Sequence, residues 1–133
     1  MKDSCPCHSG KNYEDCCQRY HLGTALPEPE ALMRSRYSAY ALGLVDYILA
    51  TTHPEHPLWQ EEKEKTRKSI AGFGQNTIFE GLMILENLPV SDKESYVTFK
   101  AILKQDGRAA SFTEKSLFIK ENGRWLYASG KIA

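Results

Sequence analysis

All four cysteines of the chain lie within one short segment near its N-terminus. They occur as Cys5-x-Cys7 and, after eight intervening residues, as the adjacent pair Cys16-Cys17. Zinc is typically held by four ligands in a tetrahedron, and thiolate sulfur is one of the ligands that it prefers. The turn-forming residues between the pairs, Ser9 to Asn12, can bring the two pairs together. The spacing therefore predicts a zinc site formed by these four cysteines.

Other uses of these thiols fit the sequence less well. Disulfides need an oxidising compartment, and the N-terminus lacks the apolar stretch of a secretory signal. The spacings are not those of a redox Cys-x-x-Cys motif, and the segment has too few aliphatic residues to bury unliganded thiols. Iron is a minor competitor for the sulfurs, and His8 or His21 is a candidate replacement for one cysteine ligand. Because four sulfurs leave no open position for water or substrate, we expect structural Zn²⁺.

The composition of the chain limits its partners and its location. It contains 17 basic and 17 acidic residues, and this zero net charge argues against nucleic acid or an anionic membrane as a partner. No apolar run approaches the roughly 20 residues of a membrane-spanning helix. We therefore expect a cytoplasmic protein, whose thiols stay reduced.

Behind the cysteine-rich segment, the apolar periodicity changes from that of helices to that of strands. We expect helices over 28–44, 47–51 and 58–71, then strands over 77–87, 95–103, 109–120 and 124–129. Asp46 is the predicted N-cap of the second helix, and Asp106-Gly107 and Asn122-Gly123 are predicted hairpin turns. The first strand is apolar on both faces, which predicts that both faces are covered. Helices followed by an antiparallel meander indicate an α+β fold.

The segment from Cys5 to Cys17 resembles the SEC-C motif, the small zinc-binding tail of the SecA translocation ATPase that also occurs on many unrelated bacterial proteins. In SecA the last ligand is a histidine, and Cys17 stands at that position here. His8 replaces the glycine that usually follows the second cysteine, which argues against a positive φ at residue 8.

The segments Leu32–Tyr40, Asp46–Leu49, Thr52–Pro54 and Asn122–Tyr127 resemble the YchJ family of uncharacterised bacterial proteins, and their order does so over nearly the whole chain. The resemblance implies a SEC-C head over 1–24 and a nuclear transport factor 2-like (NTF2-like) body over 28–133. Such a body is a cone in which a curved, four-stranded antiparallel sheet is wrapped by about three helices. The resemblance predicts the fold of the body, but it does not indicate a reaction.

Cones of this kind often hold a pocket between the concave face of the sheet and the first helices. The polar side chains that could line it here are Arg34, Arg36, Tyr37, Tyr40, His53 and Glu114. An arginine beside two tyrosines could receive an anionic or planar ligand. Purely structural roles suit each residue at least as well: core packing for the tyrosines, capping for His53, and an ion pair with Glu30 or Glu114 for either arginine.

The sequence contains no glycine-rich phosphate loop and no catalytic constellation, so we assign no catalytic residue and favour a non-enzymatic protein. The leading hypothesis is an adaptor whose zinc head docks a protein partner. By the resemblance to the SecA tail, that partner is a chaperone or the ribosome. The alternative is a small-molecule binding protein or enzyme that uses a pocket in the body. A homodimer is a further candidate.

Overall fold

The computed structural model describes residues 3–133. Two 3₁₀ turns, Tyr13–Asp15 and Pro57–Gln60, accompany four helices: α1 (Gln18–His21), α2 (Pro29–Leu42), α3 (Val45–Ala50) and α4 (Lys63–Gln75). The strands are β1 (Ile78–Pro89), β2 (Glu94–Gln105), β3 (Arg108–Ala109), β4 (Phe112–Glu121) and β5 (Arg124–Ile132). None of the described helices combines the length and the apolar composition needed to cross a membrane.

The strands form one antiparallel sheet in the order β1-β2-β4-β5, with the short β3 paired to the end of β2. The predicted hairpin turns are present, since Asp106, Gly107, Asn122 and Gly123 all have positive φ. Consecutive positive φ values give a turn whose twist matches that of the flanking strands. The α+β fold with an antiparallel sheet is confirmed.

The second and third predicted helices differ from those observed. Asp46 is not an N-cap, because α3 begins at Val45 after Leu44, and Asp46 instead pairs with Arg67 of α4 at 2.6 Å. The third predicted helix is divided into the 3₁₀ turn at Pro57–Gln60 and α4, because Glu61 and Glu62 adopt extended backbone angles. Pro57 suits the first position of the turn, because an N–H there would have no partner within the turn.

Only one face of β1 is covered, which corrects the prediction from the sequence. A register shift between Phe79 and Gly81 places one extra residue in the strand. The extra residue reverses the alternation, so Phe79 and Leu82 both lie on the inner face with their β2 partners. Met83 and Leu85 lie on the outer face, where they are 50% and 52% exposed.

The core lies between the inner face of the sheet and α2. Leu32, Met33 and Tyr37 of α2 pack with Val97 and Phe118 of the sheet. The four cysteines belong to the same buried cluster, so the N-terminal head and the body share one core. This shared core positions both sites described below.

Candidate metal centre and cavity

The four cysteines form a buried cluster with the dimensions of a metal site. Their Sγ atoms all lie within 4.8 Å of one another, and none forms a disulfide. Cys7 and Cys16 are 3.6 Å apart at sulfur, and Cys16 and Cys17 are 3.9 Å apart. A tetrahedron of sulfurs about 2.3 Å from a zinc ion has edges of roughly 3.8 Å. The cluster is therefore compatible with a metal ion bound by four sulfurs.

Local backbone geometry brings the two cysteine pairs together. The Cys5 N–H donates to the Lys11 carbonyl at 2.9 Å, and the His8 N–H donates to the Cys5 carbonyl at 3.1 Å, which closes a tight turn around Cys7. His8 has a φ of 62° in this turn, so the expectation of an ordinary φ at this position is wrong. The turn requires the left-handed region, and histidine is among the non-glycine residues that tolerate it.

The sulfurs influence one another's ionisation. Hydrogen bonds from Cys17 and Cys5 lower the pKa of the Cys7 thiol well below its usual range. Hydrogen bonds to Cys5 and Cys7 raise the pKa of the Cys17 thiol far above its usual range. Without a cation, one sulfur is thus the preferred thiolate while a neighbour keeps its proton. A divalent cation among them would allow all four to ionise, because a nearby positive charge favours the thiolate.

His8 and His21 fasten the head to the body and lie outside the sulfur cluster. The Nε2 of His8 donates to the carbonyl of Phe79 in β1 at 3.0 Å. The Nε2 of His21 donates to the Ser35 carbonyl at 2.8 Å, while its Nδ1 accepts from the Tyr13 hydroxyl at 2.7 Å. Burial lowers the pKa of His21, which favours this neutral form. The described contacts therefore leave neither imidazole as the replacement for a cysteine.

A cavity of about 340 Å³ lies between α2, α4 and the inner face of the sheet. Its walls are mostly apolar and aromatic, and they include Met33, Ile70, Phe73, Phe79, Phe99, Ala101, Leu103, Phe112 and Phe118. Its polar wall residues are Arg36, Tyr37, Tyr40, Ser69, Glu114, Ser116 and Tyr127. Four of the six side chains predicted for a pocket, Arg36, Tyr37, Tyr40 and Glu114, are thus brought together here.

Arg34 and His53 lie away from the cavity wall. Arg34 pairs with Glu30 at 3.2 Å and donates from Nη1 to the Cys7 carbonyl at 3.3 Å, so it joins α2 to the head. His53 pairs through Nε2 with Glu121 at the end of β4. Its backbone N–H donates to the Tyr127 carbonyl at 2.8 Å. Both side chains therefore have structural roles in this fold.

Arg36 is a buried cation, 8% exposed, whose guanidinium is held in place on two sides. Its Nη1 donates to the Ile48 carbonyl at 3.1 Å and to the Thr51 and Thr52 hydroxyls at 2.8 Å and 3.0 Å. Its Cζ lies 4.5 Å from the centroid of the Tyr127 ring. Burial lowers the pKa of Arg36, but a guanidinium stays charged at neutral pH.

Glu114 does not form the expected ion pair with Arg36 or Arg34 in the described part of the chain. Its Oε2 instead accepts from the Ser116 hydroxyl at 2.5 Å and from the Tyr127 hydroxyl at 3.1 Å. Tyr127 thus separates the two charges, with its ring against Arg36 and its hydroxyl on Glu114. Burial, followed by the charge of Glu114, raises the pKa of Tyr127, which keeps its hydroxyl protonated as a donor.

Tyr127 and Ser116 are site residues that the sequence prediction did not include. Both face inward. Ser116 lies two residues before the buried Phe118 and therefore on the same face of β4, and Tyr127 pairs with Phe118 across to β5. The two-residue periodicity of side chains along a strand can be read from the sequence, and it is the signal that could have identified both residues. Trp125 shares the phase of Tyr127 but lies beyond the cavity, where its Nε1 donates to Glu28 at 3.0 Å.

Comparison with protein families matches both parts of the chain. A model described as the YchJ middle NTF2-like domain matches residues 28–130, and a SEC-C motif model matches residues 1–19. A UPF0225 protein of Pectobacterium carotovorum is 43% identical over 98% of this chain and 84% of its own length. A UPF0225 protein of Bordetella parapertussis is 39% identical over 97% of this chain and 92% of its own.

Two solved structures share the fold over nearly the whole chain. The solution structure of a SEC-C motif containing protein from Rhodopseudomonas palustris has a TM-score of 0.83 and 34% identity, and it covers 100% of this chain and 99% of its own. A crystal structure of a SEC-C motif containing protein from Psychrobacter arcticus has a TM-score of 0.77 and 29% identity, with coverage of 97% and 82%. The chain therefore belongs to the YchJ (UPF0225) family, in which a SEC-C motif precedes an NTF2-like domain.

Proposed function

We propose that the protein binds a small organic molecule in the cavity of its body. The observation that carries the proposal is the convergence of a buried guanidinium and a carboxylate on an otherwise apolar cavity of about 340 Å³. Ligand sites are typically apolar concavities of roughly 300–1,000 Å³ with a few well-placed polar groups. A space needed only for packing would be expected to lack buried charges, because burying them is costly. The cavity thus has both the size and the chemistry of a ligand site.

We further propose that the ion held by Cys5, Cys7, Cys16 and Cys17 is Zn²⁺ and that it is structural. The donor set of four sulfurs and the spacing of about 3.8 Å between zinc-bound sulfurs support this assignment. Metal analysis of protein purified without added metal should give one zinc per chain. A bound iron, or a metal-free protein with the same unfolding midpoint, would contradict the assignment.

Blocking the mouth of the cavity tests the ligand proposal without disturbing its interior. Ser69 lies on α4, is exposed, and lines the cavity, whereas its exposed neighbour Lys68 does not line it. Ser69→Trp should abolish the stabilisation that small aromatic fragments give the wild type in a thermal-unfolding screen. Lys68→Trp is the matched control and should keep it. Equal fragment responses in both variants, or no response in the wild type, would count against a ligand site here.

Docking of a protein partner by the head is the second candidate function, with a chaperone or the ribosome as the partner. It is favoured by two exposed leucines, Leu22 and Leu26, which are 69% and 65% exposed beside α1. Large apolar side chains exposed near one another often mark an interaction surface. Leu22→Asp with Leu26→Asp should remove partners captured by the wild type. Identical partner sets would overturn the docking proposal.

A further inference from the structure

The guanidinium of Arg36 presents an unused pair of donors to the cavity. All of its hydrogen bonds to described residues come from Nη1. Among the described residues, every fully buried side-chain nitrogen and oxygen has a hydrogen-bond partner. Nε and Nη2 of Arg36 have none, so these two atoms are not sealed from solvent. Arg36 lines the cavity, and these two atoms are its nitrogens that remain free to bind a ligand there. They form the edge of the guanidinium that donates two parallel N–H bonds to one carboxylate.

The position of Arg36 is fixed before any ligand arrives. The three acceptors on Nη1 hold the plane of the guanidinium, and the ring of Tyr127 packs against it at 4.5 Å. No described carboxylate forms an ion pair with it. A preorganised buried cation that has no direct counter-ion favours a ligand whose anionic group can serve as that counter-ion.

Glu114 supplies an acceptor at a second point of the same wall. Both donors to its carboxylate, Ser116 and Tyr127, bond Oε2, which leaves Oε1 without a partner among the described residues. Oε1 is not sealed from solvent, because no buried side-chain oxygen among the described residues lacks a partner, and Glu114 lines the cavity. Tyr127 contacts both charged groups, since its ring packs against Arg36 and its hydroxyl donates to Glu114.

The remaining walls select an apolar body. Phe73, Phe79, Phe99 and Phe112 also line the space. A volume of about 340 Å³ limits the occupant to a small molecule. From these observations we propose that the cavity takes a small amphoteric carboxylate with an apolar body, whose carboxylate binds Arg36 and whose N–H donor binds Glu114. This proposal rests on the proposed function of the cavity and adds the chemical class of its ligand.

Four probes with nearly the same carbon frame test the class of ligand. Phenylalanine carries both charges, hydrocinnamate only the carboxylate, phenethylamine only the ammonium, and hydrocinnamamide is the neutral isostere of hydrocinnamate. Calorimetric titration of the zinc-loaded full chain should give the tightest binding for phenylalanine. Hydrocinnamate should bind at least about tenfold more tightly than its neutral amide, because the amide cannot form the charge-assisted hydrogen bonds with Arg36.

Substitutions of Arg36 and Glu114 test which residue binds each charged group of the ligand. Arg36→Lys keeps the positive charge but removes the paired donors, so it should reduce the preference for hydrocinnamate over the amide to about threefold or less. Arg36 also holds Thr51 and Thr52, so this variant needs a check of folding by unfolding midpoint. Glu114→Gln leaves Arg36 untouched, and it should abolish the advantage of phenylalanine over hydrocinnamate even if Arg36→Lys does not fold.

The outcomes separate this inference from the proposed function. If the amide or phenethylamine binds as tightly as the carboxylates, the cavity is a ligand site and the proposed ligand class is wrong. If phenylalanine binds no better than hydrocinnamate, the role of Glu114 is wrong. If none of the four probes binds, and neutral fragments also fail to stabilise the protein, both proposals fall together.

Discussion

At the scale of single residues, Tyr127 holds the two charges of the cavity apart and Gly130 leaves room for that arrangement. A Cβ at residue 130 would clash with the Glu114 carboxylate and would lie 2.6 Å from the Tyr127 hydroxyl. Gly130 is therefore needed for the space around this pair and not for its own backbone conformation. A substitution at Gly130 can therefore perturb the packing of Glu114 and Tyr127 without changing either side chain.

Gly130→Ala should displace the Glu114 carboxylate and destabilise the protein by about 1–3 kcal/mol, the usual cost of overpacking. The free energy of unfolding from urea titration measures the effect. Ser129→Ala, at the exposed neighbouring position, is the control and should change stability by less than about 0.5 kcal/mol. Equal stabilities for the two variants would contradict the close packing around Glu114.

His21 should make stability depend on pH, because burial lowers its pKa in the folded protein. The unfolded imidazole titrates near pH 6.5, so just below that pH the unfolded state binds more protons and stability falls. Its hydrogen bonds to Ser35 and Tyr13 should give the wild type an advantage over His21→Phe of about 1–2 kcal/mol at neutral pH. Unfolding curves of both zinc-loaded proteins should show that advantage shrinking from about pH 7 to about pH 5.5. A constant difference across this range would contradict the neutral, hydrogen-bonded form.

Some residue roles follow from the sequence and others depend on the folded chain. The type and spacing of the cysteines are enough to predict their cluster, because all four ligands are close in sequence. Arg34 was a candidate for the pocket, but it turns to the Cys7 carbonyl. That contact exists because the head docks on α2, and helical spacing within α2 contains no information about the head. The pairing of His53 with Glu121 is likewise a contact between distant segments.

At the scale of elements, the cavity depends on how closely α4 approaches α2. A Cβ at Gly74 would lie against the backbone oxygen of Tyr40, whereas a Cβ at Gly72 in the same helix would meet nothing within 4 Å. The close contact carries Tyr40 and Phe73 together, with ring centroids 5.4 Å apart. Gly74 therefore sets the distance between two walls of the cavity.

Gly74→Ala should push α4 away from α2 and cost about 1–3 kcal/mol. Gly72→Ala should instead stabilise the protein by about 0.5–1 kcal/mol, because alanine favours a helix over glycine and the site is open. Thermal or urea unfolding of the two variants checks the pair. Destabilisation of equal size in both would show that helix packing at residue 74 is not the cause.

The boundaries of elements were less predictable than their types. The hairpin turns follow from Asp-Gly and Asn-Gly pairs, which favour positive φ. The register shift after Phe79 has no such local mark, because it is fixed by pairing with β2. As a result the sequence placed Phe79 and Leu82 on opposite faces, while the bulge places both on the inner one.

At the scale of the whole molecule, the head is part of the core of the body. Its sulfurs pack in one buried cluster with Leu32, Met33 and Tyr37 of α2. His8, His21 and Arg34 add hydrogen bonds across the same junction. The α+β class and the order of head and body were predictable from periodicity and family resemblance. The shared core was not, since it depends on contacts between segments distant in sequence.

Removing the metal should therefore destabilise the body as well as the head. We expect a chelator to lower the unfolding free energy by several kcal/mol, because binding of a structural metal contributes to folding. Amide hydrogen exchange should speed up at Val97 and Phe99 in β2, far along the chain from the cysteines. Added Zn²⁺ should restore protection and added Mg²⁺ should not. Faster exchange confined to the head would show that the head unfolds independently of the body.

The central claim is that the cavity of the body is the functional site and that the head is its structural support. The most direct test is to map amide chemical-shift changes in isotope-labelled, zinc-loaded protein on addition of phenylalanine. We predict changes at the residues around Arg36, Glu114 and Tyr127, with residues 4–22 unaffected. Changes centred on the head, or none at the cavity wall at saturating ligand, would contradict the claim.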